Sequence, residues 1–429
     1  MGFVALFFAV YLGLLAGRET PPFEISRVYS LSLGEDERVD VRYVTATDLT
    51  GDGRKEVLMS YDGYSYEEQV IEGALTFAIR YKEARMLVFS SNGVGNFRKL
   101  REYSSGLTRQ TIAVGDFNGD GKLDIVVGGS RAENEEDPES ITSRVEVLLQ
   151  KENGGFDNVF STDIPQFLLT GLAVGEFVQN GRSSFVVGGR ALESESPYHA
   201  YLFHNEGEGN FTMSPIALRE KIGVEDMWKA DINSDGSPDL IIQAFDFDDE
   251  TYSLILLLND GRGEFEFGEL DISVDSMVIE DFARNGYPDI LYTQVTQTGS
   301  EVYFLRNNQG EFAEPQLVDV TSEGRFVGMI SADFKNDNNQ DVLLFRRYLE
   351  FREGLGKFET NIIGHLLVID ESTEGELSFA PEWSHKFVEG KDISSKHAAV
   401  AADINDDGWI DLIVVSGEGD VYLALNKHT

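Results

Sequence analysis

The sequence predicts an all-β chain in which seven copies of one small unit close into a single domain. Three observations predict it. The first is a loop recurring seven times along 429 residues, clearest at Asp116 to Gly129 as DFNGDGKLDIVVGG. The second is a short β-rich run on either side of each loop; the third is a later apolar strand ending in Asn or Gly and a G-x-F turn. Self-similarity at a spacing of tens of residues marks an array of units, none able to bury both faces of its own sheet.

The loops begin at Asp48, Asp116, Glu176, Asp231, Asp281, Asp333 and Asp403. In the second of them Asp116, Asn118, Asp120 and Asp124 take positions 1, 3, 5 and 9, and Gly121 permits the tight reversal. Oxygen donors alternating along a turning backbone converge on one point, which is how a hard cation such as Ca²⁺ is caged. Asp231, Asn233, Asp235 and Asp239 repeat the set, as do Asp403, Asn405, Asp407 and Asp411. The first loop offers Asp48, Thr50, Asp52 and Glu56. Such all-oxygen sets suit Ca²⁺ and not Zn²⁺, which prefers nitrogen or sulfur. The competing reading is that Asp, Asn and Gly simply make Asx turns.

The other three loops are degraded. Asp333, Asp337 and Asp341 form a weaker set, because Lys335 at position 3 brings an ammonium that can replace the cation. Asp281 keeps Asp289 but has Ala283 and neutral Asn285, so its affinity is expected to be low. The loop at Glu176, with Val178 and Ser184, reads as a metal-free turn. The expectation is therefore about three to five Ca²⁺ sites.

The paired motifs resemble the FG-GAP/VCBS repeats of integrin α-subunit propellers and of many secreted microbial proteins. The resemblance covers nearly the whole chain after its first twenty residues. It implies a seven-bladed β-propeller of four-stranded antiparallel blades, with a cation loop between the first and second strands of each. It does not imply one activity: some members are sugar lyases or dehydratases with catalytic groups scattered over the disc.

Taken in order, Gly2 to Gly17 is apolar and is followed by Arg18, Glu19 and two prolines. Residues 1–20 read as a signal peptide or an N-terminal membrane anchor, and residues 21–429 as the propeller. Either reading places the ring outside the cytoplasm, secreted or at the cell surface, where millimolar Ca²⁺ fills weak sites. Phe23 to Leu33 has no loop of its own, whereas the last copy stops after Val421 to Asn426. The two ends are expected to pair, with the N-terminal strand closing the last blade and covering its edge.

Within blade 2 the strands are read as about Thr111 to Phe117, Asp124 to Gly128, Arg144 to Gln150 and Phe156 to Thr162. Turns A–B and C–D then lie on one face, and connections B–C and D–A on the other. Insertions fall in the B–C class, at Tyr61 to Ala84, Ser130 to Ser143 and Ala191 to His199. Only Glu67 to Ala84 competes with a helical period. In blade 6 two readings stand: Arg347 to Gly364 is a B–C insertion before a C-turn-D unit at His365 to Glu382, or it holds strands C and D itself.

Acidic residues exceed basic ones, 75 against 35, for a formal charge of −40, which argues against nucleic acid or an anionic membrane surface as partner. The chain has no cysteine, so disulfides, thiolate metal sites and cysteine nucleophiles are excluded, and calcium is the staple left to an extracellular fold. The six histidines show no ligand spacing, and no Ser-His-Asp order or phosphate loop is present. Tyr61, Tyr64, Tyr66 and Tyr81, in the blade 1 insertion, offer a ligand-binding surface, or else a self-packed hairpin. The reading is a calcium-binding module for adhesion to a protein or glycan. Its rivals are a polysaccharide lyase on the same disc and a structural subunit of a surface assembly, attached through the apolar N-terminus.

Overall fold

Strand follows strand through the computed structural model, which describes residues 23–31, 33, 37–71, 74–91, 97–132, 140–192, 198–297, 299–321, 324–352, 357–371, 377–389, 392–393 and 395–427. The apolar leader and the acidic run Glu133 to Glu139 lie outside the described residues. Among those residues no helix is long and apolar enough to cross a membrane.

Seven antiparallel sheets form the seven four-stranded blades of a β-propeller, the sheet of blade 1 carrying a fifth strand off its edge. Their A strands are Arg38–Thr47, Thr108–Gly115, Phe167–Gly175, Ile222–Ala230, Ser276–Glu280, Arg325–Ala332 and Ala399–Ala402. The B strands are Glu56–Ile71, Asp124–Ala132, Ser184–Ala191, Asp239–Asp246, Asp289–Val295, Asp341–Arg352 and Asp411–Val415. A strands touch between blades 1 and 2, 2 and 3, 3 and 4, 5 and 6, 6 and 7, and 7 and 1, so they ring the central axis.

Position in the blade explains the sequence of each strand. Strand B is covered on both faces by adjacent blades, and Asp411–Val415 is accordingly buried at every residue. Outer strands have one wet face; Phe97–Ser104 (FRKLREYS) is half-buried or exposed throughout. The apolar core is split into clusters that straddle neighbouring blades, such as Phe117, Val147, Phe185 and Phe203 between blades 2 and 3. Stacking of units therefore supplies the burial that one unit lacks.

The ring closes as expected. Phe23–Ser30 pairs antiparallel with Asp420–Asn426, from Phe23 opposite Asn426 to Ser30 opposite Asp420. The Phe23 ring packs edge-on against Phe334, 6.0 Å away in blade 6.

The blade 1 insertion is a β-hairpin, with no helix among its described residues: strand B runs on to Ile71 and returns as Ala74–Tyr81, pairing Tyr64 with Tyr81. In blade 6 the first of the two readings holds. Asp341–Arg352 and Lys357–Glu371 are strands B and C, and they stay paired outward to Arg352 and Lys357 as an elongated B–C hairpin.

Candidate functional site

The loops show where each predicted cation ligand lies. The first acid of a loop caps the turn with both oxygens: Asp116 accepts the N–H groups of Gly119 at 2.7 Å and Gly121 at 2.8 Å. Asp48, Asp231, Asp281, Asp333 and Asp403 do likewise in their own loops. Asn118 caps Asp120, and Asp120 in turn caps Lys122, each at 2.9 Å. Asn233 and Asn405 donate to Asp235 and Asp407 at 2.9 and 2.8 Å. Thr50 uses its backbone N–H to meet Glu56 at 3.2 Å. Lys335 Nζ stands 3.6 Å from Asp337.

The ninth position is buried beneath the loop. Asp239 accepts the N–H of Ile232 with one oxygen, at 2.8 Å, and that of Asn259 with the other, at 2.7 Å. Asn259 then donates its side-chain amide to Phe177 of the preceding blade at 3.0 Å. Asp289 with Asn307, and Asp411 with Asn426, repeat this latch onto Ile232 and Phe334. Asp124 with Gln150 builds it onto Leu49. In blade 3 Ser184 replaces the acid, yet Asn205 still reaches Phe117 at 2.8 Å. The Asn that the sequence suggested as a turn residue is thus a bolt between blades.

Burial first, then the neighbouring loop acids, push Asp239 and Asp411 up to about 6 and Asp341 up to about 7. Crowded carboxylates of this kind favour either a proton or a cation. Oxygen donors in this number match a hard divalent ion. In the conformation described they are turned onto backbone N–H groups, and no three His, Asp or Glu side chains among the described residues are grouped to hold a metal.

On the opposite face the A strands carry β-bulges near their starts, at Arg42, Arg109–Gln110, Thr170, Glu225 and Val327. A bulge re-aims a side chain, and bulges gather beside functional sites. Arg109 sits at φ 52°, in the left-handed region, with its N–H held at 2.9 Å by Asp62. Asp62 is fully buried and also accepts from Arg42 at 3.1 Å; burial pushes its carboxyl up to about 6 despite that arginine.

Blade 7 reaches across the channel to the same place. Lys396 and His397, just ahead of the last A strand, each come within 2.9 Å of Asp226 in blade 4. Burial alone would raise Asp226, but His397 and Lys396 overcome it and hold the carboxyl well below the usual range. Lys396 also donates to Gln243 at 2.8 Å and lies over the Trp228 ring. Arg42 and Arg109 lie over Tyr81, and Arg190 over Phe247 at 4.0 Å. Between them stands Glu225, exposed, its carboxyl raised by partial burial and pulled back by Lys396, Arg109 and Arg190.

Of the four candidate tyrosines, the structure brings only Tyr81 under these cations. Tyr61 is 7% exposed in the core, and burial pushes its hydroxyl up to about 12. It lines a lateral cleft of 690 Å³ with Tyr29, Arg85 and Glu102. Tyr64 packs on both Tyr81 and Tyr66, and Tyr66 is 57% exposed. Arg42, Arg109, Arg190, Glu225, Asp226, Lys396 and His397 escaped the sequence reading. A signal existed: Arg42, Glu225 and His397 each precede the first acid of a loop (48, 231 and 403) by six residues.

Comparison with known proteins agrees with this architecture. No curated protein matches the chain. Two solved structures resemble it in fold: the rhamnogalacturonan lyase YesW, at 12% identity over 96% of this chain and 76% of that one, with a TM-score of 0.51, and the exotype rhamnogalacturonan lyase YesX, at 12% identity over 95% and 76%, with a TM-score of 0.51. At that identity the likeness concerns the fold alone. The FG-GAP-like repeat matches at residues 48–127 and 281–344, in blades 1 and 2 and in blades 5 and 6. The chain is a β-propeller that carries FG-GAP-like repeats.

Proposed function

We propose that the chain is a calcium-stabilised binding module of the extracytoplasmic space, taking a protein or glycan ligand at the mouth of its channel. One observation carries this reading: all four cation–aromatic contacts among the described residues lie on the face opposite the loops, on side chains drawn from blades 1, 2, 3, 4 and 7. Packing a cation on a ring stabilises by about 0.5–1 kcal/mol at an exposed site and presents charge beside apolar area, which is what a polar ligand with flat faces needs. The calcium part rests on the all-oxygen donor sets and their mutual repulsion.

Shortening the blade 1 hairpin so that Tyr64 to Tyr81 is replaced by a tight turn tests the site. Binding to a glycan array or to candidate protein ligands should be abolished while the melting temperature stays high. Unchanged binding sinks the assignment of this face.

The lyase reading has its own support in the Asp226–His397 pair, because a carboxylate that orients an imidazole is the usual arrangement for moving a proton. Incubation with uronate polysaccharides distinguishes it. An unsaturated uronate product that disappears in His397→Ala establishes the enzyme; no product leaves the binding module.

A further inference from the structure

We infer that the mouth recognises a carboxylated saccharide, a chain containing uronate units, through Arg109 and Arg190. This rests on the reading of the mouth as the ligand face and specifies what it takes. Neither guanidinium forms an ion pair among the described residues, in a chain whose acids exceed its bases by 75 to 35. Both are nevertheless fixed. Arg109 is set by its bulge and by Asp62 beneath its backbone, and Arg190 is laid on Phe247. Arginine presents a planar fork that matches a carboxylate with two parallel hydrogen bonds, and a fork already held in place loses little entropy on binding.

The other cations of the mouth are already matched. Arg42 pairs with Asp40 and Asp62, and Lys396 pairs with Asp226. The local charge left for a ligand is therefore that of Arg109 and Arg190 set against Glu225, which forms no ion pair or hydrogen bond among the described residues. A free carboxylate beside two cations, more than an ion-pair distance from each, suits a sugar ring: the arginines take the acid group, and Glu225 accepts from a hydroxyl.

The aromatic side chains favour saccharide over acidic peptide. Phe245, Phe247 and Tyr252 form a contiguous group, with ring centroids 5.1 and 4.9 Å apart, and Tyr252 is 42% exposed. Ring faces of this kind stack on the C–H faces of pyranose units, whereas a flexible run of Glu side chains has no flat face to offer.

Calorimetric titration of the whole chain with an oligogalacturonate, its methyl ester and oligoglutamate tests this. The expected result is saturable binding of the oligogalacturonate, at least tenfold weaker for the ester and for oligoglutamate, and weakened about tenfold by Arg109→Lys and by Arg190→Lys. Arg190 is exposed, so its variant folds even if that at Arg109 does not. Equal binding of acid and ester, with neither variant changed, overturns the carboxylate assignment but leaves the mouth as a ligand face if the shortened hairpin abolishes that binding. Tighter binding of oligoglutamate overturns the saccharide. No binding of any of the three overturns the inference, and the glycan array with the shortened hairpin then decides the ligand face separately.

Discussion

The two faces of the ring are built on opposite principles. On the loop face the blades repeat one scheme: an acid caps a turn, and in blades 4, 5 and 7 a buried acid ties that turn to the end of strand C while an Asn bolts the blade to the one before. On the channel face the side chain in the bulge six residues ahead of the loop changes from blade to blade; Arg42, Gln110, Thr170, Glu225 and Val327 stand at equivalent places. Repetition is what a packed ring requires of every unit. Difference at a fixed position is what recognition requires, because a ligand is met by the ring as a whole and not by one blade. The loop face is thus read as architecture and the mouth as function.

The largest expected effect tests the loop face. If the loops take calcium, binding to the folded chain alone stabilises it by roughly 2.7 kcal/mol per site at about 100 times the dissociation constant. Chelation should then lower the melting temperature markedly, and Asp120→Ala or Asp407→Ala should reproduce part of the loss. Asn180→Ala, in the degenerate loop of blade 3, should leave the calcium response unchanged. A melting curve indifferent to both chelator and calcium would mean that the loops are turns and nothing more.

Next in size is the latch itself. Asp239→Ala strips the acceptors from two buried N–H groups, those of Ile232 and Asn259. An unsatisfied buried donor costs about 1–3 kcal/mol, so a loss of roughly 3–5 kcal/mol is expected in urea denaturation of the calcium-free protein. Ser184→Ala, where one hydroxyl serves the same turn, should cost only about 1–2 kcal/mol. Equal losses at the two positions would show that the latch is not what binds the blades.

The same contrast explains what could be read in the sequence. Seven blades, the closing strand at Phe23 and the loop acids were legible because each repeats a local pattern: polar residues at fixed offsets, then an apolar run. The role of the ninth acid was half legible. Asp239 stands at a ligand position by spacing, and only burial and register show that both of its oxygens already serve the backbone. The mouth was illegible because its partners are distant in sequence, as Asp226 is from Lys396, and share no residue type. A bulge adds one residue to a strand and leaves no composition mark, so only alignment of the repeats on their loops exposes the column.

On the channel face the first test is pH. Asp62 is raised from an ordinary 3.8 to about 6 by burial, so the folded chain holds its proton more tightly than the unfolded chain does. Its contribution is complete below about pH 4 and is lost as pH rises through about 6, a decline of roughly 2–3 kcal/mol. In the calcium-free protein Asp62→Asn should flatten that part of the stability profile, measured by denaturation between about pH 4 and 7. An unchanged slope would show that Asp62 is no more than an ordinary partner of Arg42.

The smallest effect separates the tyrosines. Tyr66 is 57% exposed and among the described residues its ring packs on Tyr64 alone, so Tyr66→Ala should change stability by less than about 0.5 kcal/mol. Tyr81 carries Arg42 at 5.6 Å and Arg109 at 4.8 Å over its ring, and each stacked cation contributes about 0.5–1 kcal/mol. Tyr81→Ala should therefore cost roughly 1–2 kcal/mol and free the Arg109 guanidinium to wander, whereas Tyr81→Phe should restore both. Ligand affinity should follow the same order: lost with alanine at Tyr81, kept with phenylalanine there, and little changed by Tyr66→Ala. Should Tyr66→Ala weaken the ligand more than Tyr81→Ala, the contact surface lies out along the hairpin, and the channel mouth gives up its place as the recognition face.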